Sequence, residues 1–179
     1  MVEETLTREQ TIADFRQLYY DSLNTWANTF WLGRQVAKCP LDLWVFQEII
    51  TETRPDLIIE TGTCVGGSAF FFATVLDQIT DLHGTKIVTV DKDRYDRPEH
   101  ESIFYVVGDA VALEVIGPIR ALASQAKRTM VTLDSLHTYE HVKAELAAYA
   151  GFVTPGCYLV VEDTGACLGG ERAVGEFLA

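Results

Sequence analysis

Positive charge is scarce in this 179-residue chain: 14 lysines and arginines stand against 26 aspartates and glutamates, a formal net charge of −12 at pH 7. A surface so acidic repels phosphate backbones and anionic lipid on average, which excludes nucleic acid as an expected partner. Long apolar runs are missing too. The longest, residues 69–76, falls far short of the ~18 residues that cross a bilayer, so no membrane span is predicted. The opening Met1-Val2-Glu3-Glu4 is acidic where a secretory leader carries basic residues followed by an apolar run, and a cytoplasmic protein is expected. Only four cysteines occur, Cys39, Cys64, Cys157 and Cys167, none in a C-x-x-C pair. That excludes a zinc ribbon or a dense disulfide framework and predicts reduced thiols, most of them packed inside. No repeat, linker or biased segment interrupts the chain.

What is present is enough for one core. With 48% hydrophobic residues and 22% charged, the chain is too apolar for disorder and long enough to bury roughly two thirds of its unfolded surface. Residues 1–53 are expected to form a helical arm and lid. Ile12, Phe15, Leu18 and Tyr19 recur at helical spacing between Thr7 and Tyr20, residues 23–33 read as loop or short helical turns, and a second helix starts at Pro40 and stops at Arg54-Pro55. Trp26, Phe30, Trp31 and Trp44 suit either a lid or a core for this arm.

From Asp56 the pattern changes. Short apolar runs at residues 57–60, 86–91, 103–107, 129–134 and 157–162 alternate with helical stretches beginning near Gly67, Ala110 and Tyr139. Continuous rather than alternating apolarity predicts strands covered on both faces, hence an α/β, doubly wound, mostly parallel sheet over residues 54–179. Ligands in such sheets bind beyond the carboxyl ends of the strands, and an acid closes or closely follows each predicted strand: Glu60, Asp91, Asp109, Asp134, and Glu162 with Asp163. Helix capping explains one or two of these acids but not the set.

The loop after the first strand, Glu60-Thr61-Gly62-Thr63-Cys64-Val65-Gly66-Gly67-Ser68, lacks the G-x-G-x-x-G of dinucleotide folds. A carboxylate at that turn opposes a pyrophosphate and suits a cationic ligand. S-adenosylmethionine carries both a sulfonium and an amino group. Glu60, Gly62, Thr63, Gly66 and Ser68 are therefore expected at the cofactor, with Asp91 on the ribose hydroxyls and Asp109 on the adenine amino group. A nicotinamide-dependent oxidoreductase is the alternative that the same layers allow, and a non-catalytic assembly subunit that keeps the cofactor site is a second.

Several blocks carry a resemblance: Tyr19-Tyr20-Asp21-Ser22, Asn24-Thr25-Trp26, Trp31-Leu32-Gly33, Lys38-Cys39-Pro40-Leu41-Asp42-Leu43-Trp44, the Glu60–Ser68 loop, Leu133-Asp134-Ser135 with His137 and His141-Val142, and Val161-Glu162-Asp163-Thr164. In these the sequence resembles the cephalosporin hydroxylase and rhamnosyl O-methyltransferase family of Rossmann-like class I methyltransferases. The resemblance implies S-adenosylmethionine, a magnesium ion and methylation of a hydroxyl on a small acceptor, often in antibiotic or glycolipid biosynthesis. Leu136, and Gly165-Ala166-Cys167, depart from the more polar residues usual there. The chain also stops at Ala179, inside a helical stretch, so the final antiparallel strands of such folds are expected to be missing: either the chain is a fragment, or another subunit, in a homo-oligomer, covers the fifth strand.

Strands four and five are neighbours in the 3-2-1-4-5 order of such sheets, about 5 Å apart, so Asp134, Glu162 and Asp163 are expected to converge and to need a cation. Hard oxygen donors with room for water suit magnesium. His137, three residues past Asp134, is expected to act as general base or to touch the acceptor, with Asp134 as the second catalytic residue. His141 is expected to be structural.

Overall fold

The computed structural model describes residues 6–20, 25–165 and 168–179; Asp21, Ser22, Leu23 and Asn24 of the arm, and Cys167, fall outside them. Five strands form one sheet: β3 (Leu57–Thr61), β4 (Lys86–Asp91), β5 (Ile103–Val107), β6 (Thr129–Leu133) and β7 (Leu159–Val161). Their order is β5-β4-β3-β6-β7 and every pairing is parallel, the order and direction expected from sequence. β7 is shorter than the 157–162 run, and among the described residues its outer edge has no strand partner.

Helices cover both faces, which is why the strands read as unbroken apolar runs. On one face α2 (Pro40–Thr53) and α3 (Gly67–Asp77) pack Phe46, Ile50, Phe71 and Phe72 against Ile58, Ile87 and Met130. On the other, α4 (Leu113–Ala123), α5 (Tyr139–Tyr149) and α6 (Leu168–Leu178) enclose Ile59, Val88 and Val131. Pro40 opens α2, its fixed φ suiting a first helical turn. Arg54 closes it in the left-handed region, its N–H donating to the Ile50 carbonyl. Thr138 caps α5 by accepting from the His141 N–H.

The arm differs from its expected form in two ways. Helix α1 (Arg8–Tyr20) forms, but it has no buried residue and Ile12, Phe15 and Leu18 stay exposed. In the stretch read as loop or short helical turns, Trp26–Asn28 do form one such turn, but Phe30–Trp31 form a strand, β1, paired in a small hairpin with β2 (Arg34–Gln35). That hairpin sits on the start of α3: a Cβ on Gly67 would lie 2.0 Å from the Gln35 carbonyl oxygen, so only glycine admits the approach. Trp31 belongs to the core rather than to a lid, donating to the Thr74 hydroxyl at 2.8 Å and stacking edge-on against Phe71. Trp44 and Phe30 are exposed.

Three of the cysteines are described, and all are free: Cys39 is buried, Cys157 half-buried and Cys64 exposed. Among the described residues no helix is long and apolar enough to cross a membrane.

Candidate functional site

Parallel register aligns one polar row across the apolar face that α2 and α3 cover. Tyr105, Thr89, Glu60 and Thr132 stand opposite one another on β5, β4, β3 and β6. Glu60 is fully buried; Ser68 donates a hydrogen bond to one of its oxygens and Thr89 to the other. Burial pushes this carboxyl up to about 7, against the pull of Lys38 and the two hydroxyls. Glu60 and Ser68, both expected at the cofactor, are joined to each other here, with Thr89 on the second Glu60 oxygen. They lie behind the glycine loop and tie it to α3, because a charge this deep is tolerated only where hydroxyls and a cation answer it. Thr63 is likewise buried, its hydroxyl 2.7 Å from that of Thr89.

The loop bounds a cavity of about 360 Å³ at the carboxyl ends of the strands, lined by Gly62, Asp91, Gly108, Asp134, Leu136 and His141 among others. Gly62 has φ +85°, and a Cβ there would lie 1.9 Å from the Asp134 carbonyl oxygen. Its glycine is thus required by β6 as much as by any ligand. Gly66, also at positive φ, precedes the first residue of α3. Asp91 is fixed from behind, its carboxylate accepting from the N–H groups of Cys64 at 2.6 Å and Asp93 at 3.0 Å. Asp109 does not line the cavity: it pairs with Lys92 at 2.9 Å and accepts from the Val111 N–H, and these two hydrogen bonds hold its carboxyl below the ordinary range. Only its neighbours Gly108 and Ala110 reach the cavity wall.

Asp134 leaves the end of β6 and faces two ways. Its Oδ1 lies 3.9 Å from His137 Nε2, which in turn is 3.3 Å from Asp163 Oδ2. Among the described residues, Asp134, His137 and Asp163 each offer one ligand atom, all within 4.8 Å of one another, a spacing that one cation can bridge. Asp163 reaches this group because its backbone adopts the left-handed region, φ +56°, just past β7, a conformation that aspartate tolerates better than most side chains. His141, by contrast, faces buried Glu145 at 3.6 Å, while Ser135 donates to the same Glu145 oxygen at 2.6 Å.

The other oxygen of Asp134 meets a residue that sequence reasoning missed. Lys38 Nζ lies 2.5 Å from Asp134 Oδ2 and 2.6 Å from Glu162 Oε2, with the lysine side chain only 5% exposed. Glu162, expected beside Asp134 and Asp163, is thus held by Lys38 on one oxygen and by the Thr132 hydroxyl on the other. Burial works against the lysine's charge, but Glu162, Asp134 and Glu60 outweigh it and raise the ammonium's pKa. Burial raises both acids as well, with Lys38 opposing. The hairpin delivers the lysine: Lys38 N–H donates to the Thr29 hydroxyl at 3.1 Å, and Ala37 turns the chain at φ +51° into the start of α2. Nothing in residue spacing links position 38 to positions 134 and 162; the one available signal was the Lys38–Trp44 block of the resemblance.

A second hollow, about 640 Å³, opens between α1, α2 and β7. Phe15, Val45 and Val160 line it with Arg16 and Asp42, and its floor reaches Glu162 and Asp163.

Comparison with known proteins fits this layout. The sequence model of the family described as rhamnosyl O-methyltransferase/CmcI matches residues 23–169. A rhamnosyl O-methyltransferase of Mycobacterium leprae (strain TN) is 34% identical over 155 residues, covering 84% of this chain and 66% of that protein. This chain therefore spans just under two thirds of that relative's length. Two solved structures share the fold. CalS11, described as a TDP-rhamnose 3′-O-methyltransferase of calicheamicin biosynthesis, superposes with a TM-score of 0.62 at 18% identity over 96% of this chain and 86% of its own. A structure described as cmcI-D160 Mg-SAM gives 0.62 at 19% identity over 84% and 66%. The family match over most of the chain, and the identity to a curated relative, show that this chain belongs to the rhamnosyl O-methyltransferase/CmcI family.

Proposed function

We propose that this chain holds the S-adenosylmethionine site and the catalytic group of a magnesium-assisted O-methyltransferase whose acceptor is a hydroxyl of a sugar or similar small metabolite. The observation that carries the reading is the double membership of Asp134. It lines the cavity beside the glycine loop and also belongs to the group with His137 and Asp163. A methyl donor and an acceptor hydroxyl would then meet at one residue. The relatives' names, rhamnosyl and TDP-rhamnose O-methyltransferase, and the Mg-SAM description of a structure with this fold, support the same class.

In this reading the main chain at Gly62 and Gly108 flanks the cofactor and Asp91 receives the ribose hydroxyls with its remaining lone pairs. The acceptor enters from the hollow between α1, α2 and β7. The donor set suits magnesium: Asp134 and Asp163 present hard oxygens on a partly exposed side, with space for water, and Glu162 is the further carboxylate, engaged by Lys38. When bound, the cofactor would supply an electrophilic methyl group and the cation would lower the pKa of the acceptor hydroxyl while holding its oxygen in place. In this reading His137 is left out of the metal's donors: its Nε2 takes the proton that the hydroxyl releases, and Asp163, 3.3 Å away, stabilises the imidazolium so formed.

Calorimetric titration of the full chain tests the cofactor. S-adenosylhomocysteine is expected to bind saturably and NAD to give no heat. Binding of NAD without the sulfur nucleoside would instead favour an oxidoreductase.

A further inference from the structure

We propose that Lys38 is a built-in cation that competes with the divalent metal for the charge of this site, so that metal binding is weakened while the lysine holds Asp134 and Glu162. The inference rests on the metal reading above. Asp134, Glu162 and Asp163 converge at the ends of β6 and β7, and among the described residues the lysine or arginine placed among them is Lys38, at 2.5 and 2.6 Å from two of the three. Three carboxylates so close repel one another strongly, and one ammonium leaves two negative charges uncompensated, the charge that a divalent ion supplies. Lys38 holds Asp134 by Oδ2, the oxygen next to the Oδ1 that faces His137 and Asp163. A cation entering there feels the ammonium's repulsion across a single carboxylate.

The lysine is built into this place. Its side chain is 5% exposed, its N–H is tied to Thr29, and the hairpin that carries it is seated on α3 at Gly67. A lysine that served only as a surface counter-ion would need none of this. The consequence is a fold that stands without metal and a metal site whose affinity is set by the arm.

The test is Mn²⁺ binding by calorimetry at pH 8, with no cofactor or acceptor, on the full chain and two variants. Lys38→Met removes the competing charge and is expected to tighten Mn²⁺ binding roughly tenfold. It should also lower the melting temperature in chelator, with Mn²⁺ restoring it. Lys38→Arg keeps the charge and is expected to stay within about twofold of the parent. A lysine needed merely for structure would give weaker binding in Lys38→Met, and that result, or no change, overturns the proposal. Should Lys38→Met fail to fold, ¹⁵N-lysine spectra of the parent chain decide: the Lys38 ammonium signal is expected to shift on saturation with Mg²⁺, and an unmoved signal overturns it. Mn²⁺ bound by neither parent nor Lys38→Met would remove the metal reading itself, whereas binding by the parent without the tightening removes only the role of Lys38.

Discussion

Asp134→Asn is expected to lower methyl transfer at least about 10²-fold while leaving the chain folded and S-adenosylhomocysteine binding nearly unchanged. The side chain lines the cofactor cavity but is also shared between Lys38 on one oxygen and the His137–Asp163 pair on the other. Asparagine keeps an oxygen acceptor for Lys38, and Glu162 remains as that lysine's anionic partner. Stability should fall by only about 1–3 kcal/mol, the cost of a weakened buried hydrogen bond. What is lost is a negative donor beside the reacting hydroxyl, and an amide oxygen is a poor ligand for a divalent ion. Radiolabelled methyl transfer to a rhamnoside acceptor, with and without Mg²⁺, measures the effect. Equal activity in parent and variant, or activity unaffected by exhaustive chelation, would remove Asp134 and the metal from the mechanism and leave His137 as the activating group.

Gly62→Ala should affect the fold as well as the site. Its φ of +85° is costly for any residue with a Cβ, and the added methyl would sit 1.9 Å from the Asp134 carbonyl oxygen. Since Asp134 N–H donates to the Thr61 carbonyl at 3.1 Å, the loop after β3 and the end of β6 cannot separate without breaking the sheet's last rung. A destabilisation of about 3–5 kcal/mol is expected, together with loss of S-adenosylhomocysteine binding. Denaturant unfolding and calorimetry of one preparation measure both. An alanine variant as stable as the parent would mean that the loop and β6 are not in the contact described. Gly84, at φ +107° with nothing within 4 Å of an added Cβ, is the matched control, because there strain acts without a collision.

The sheet was legible in the sequence for a physical reason. Strands buried on both faces must be apolar throughout, so residues 57–60, 86–91, 103–107 and 129–134 stood out, and the acids that break each run marked the end where ligands bind. The same logic marks Glu60 and Ser68 but does not find their partners inside the fold. An acid at the end of a buried strand signals a partner, but sequence does not say whether the partner is a ligand or, as here, hydroxyls from β4 and α3. For Asp109 sequence leaves a helix cap and an adenine contact both open, and the short loop after β5 gives it Lys92 and the Val111 N–H as partners. Lys38 was invisible to spacing because its partners lie 96 and 124 residues away and a single lysine in a loop has no pattern. The helix α1 was legible as a period but not as a contact: its apolar stripe faces a hollow, not the core.

Anomalous diffraction from crystals grown with Mn²⁺ and S-adenosylhomocysteine puts both ligands to the question at once. The expected result is a manganese peak bounded by the Asp134 and Asp163 carboxylates, with the sulfur nucleoside running from there past Gly62 to Asp91 and Gly108. Nucleoside density in another cavity, or a manganese peak away from Asp134, would contradict the assignment of this site.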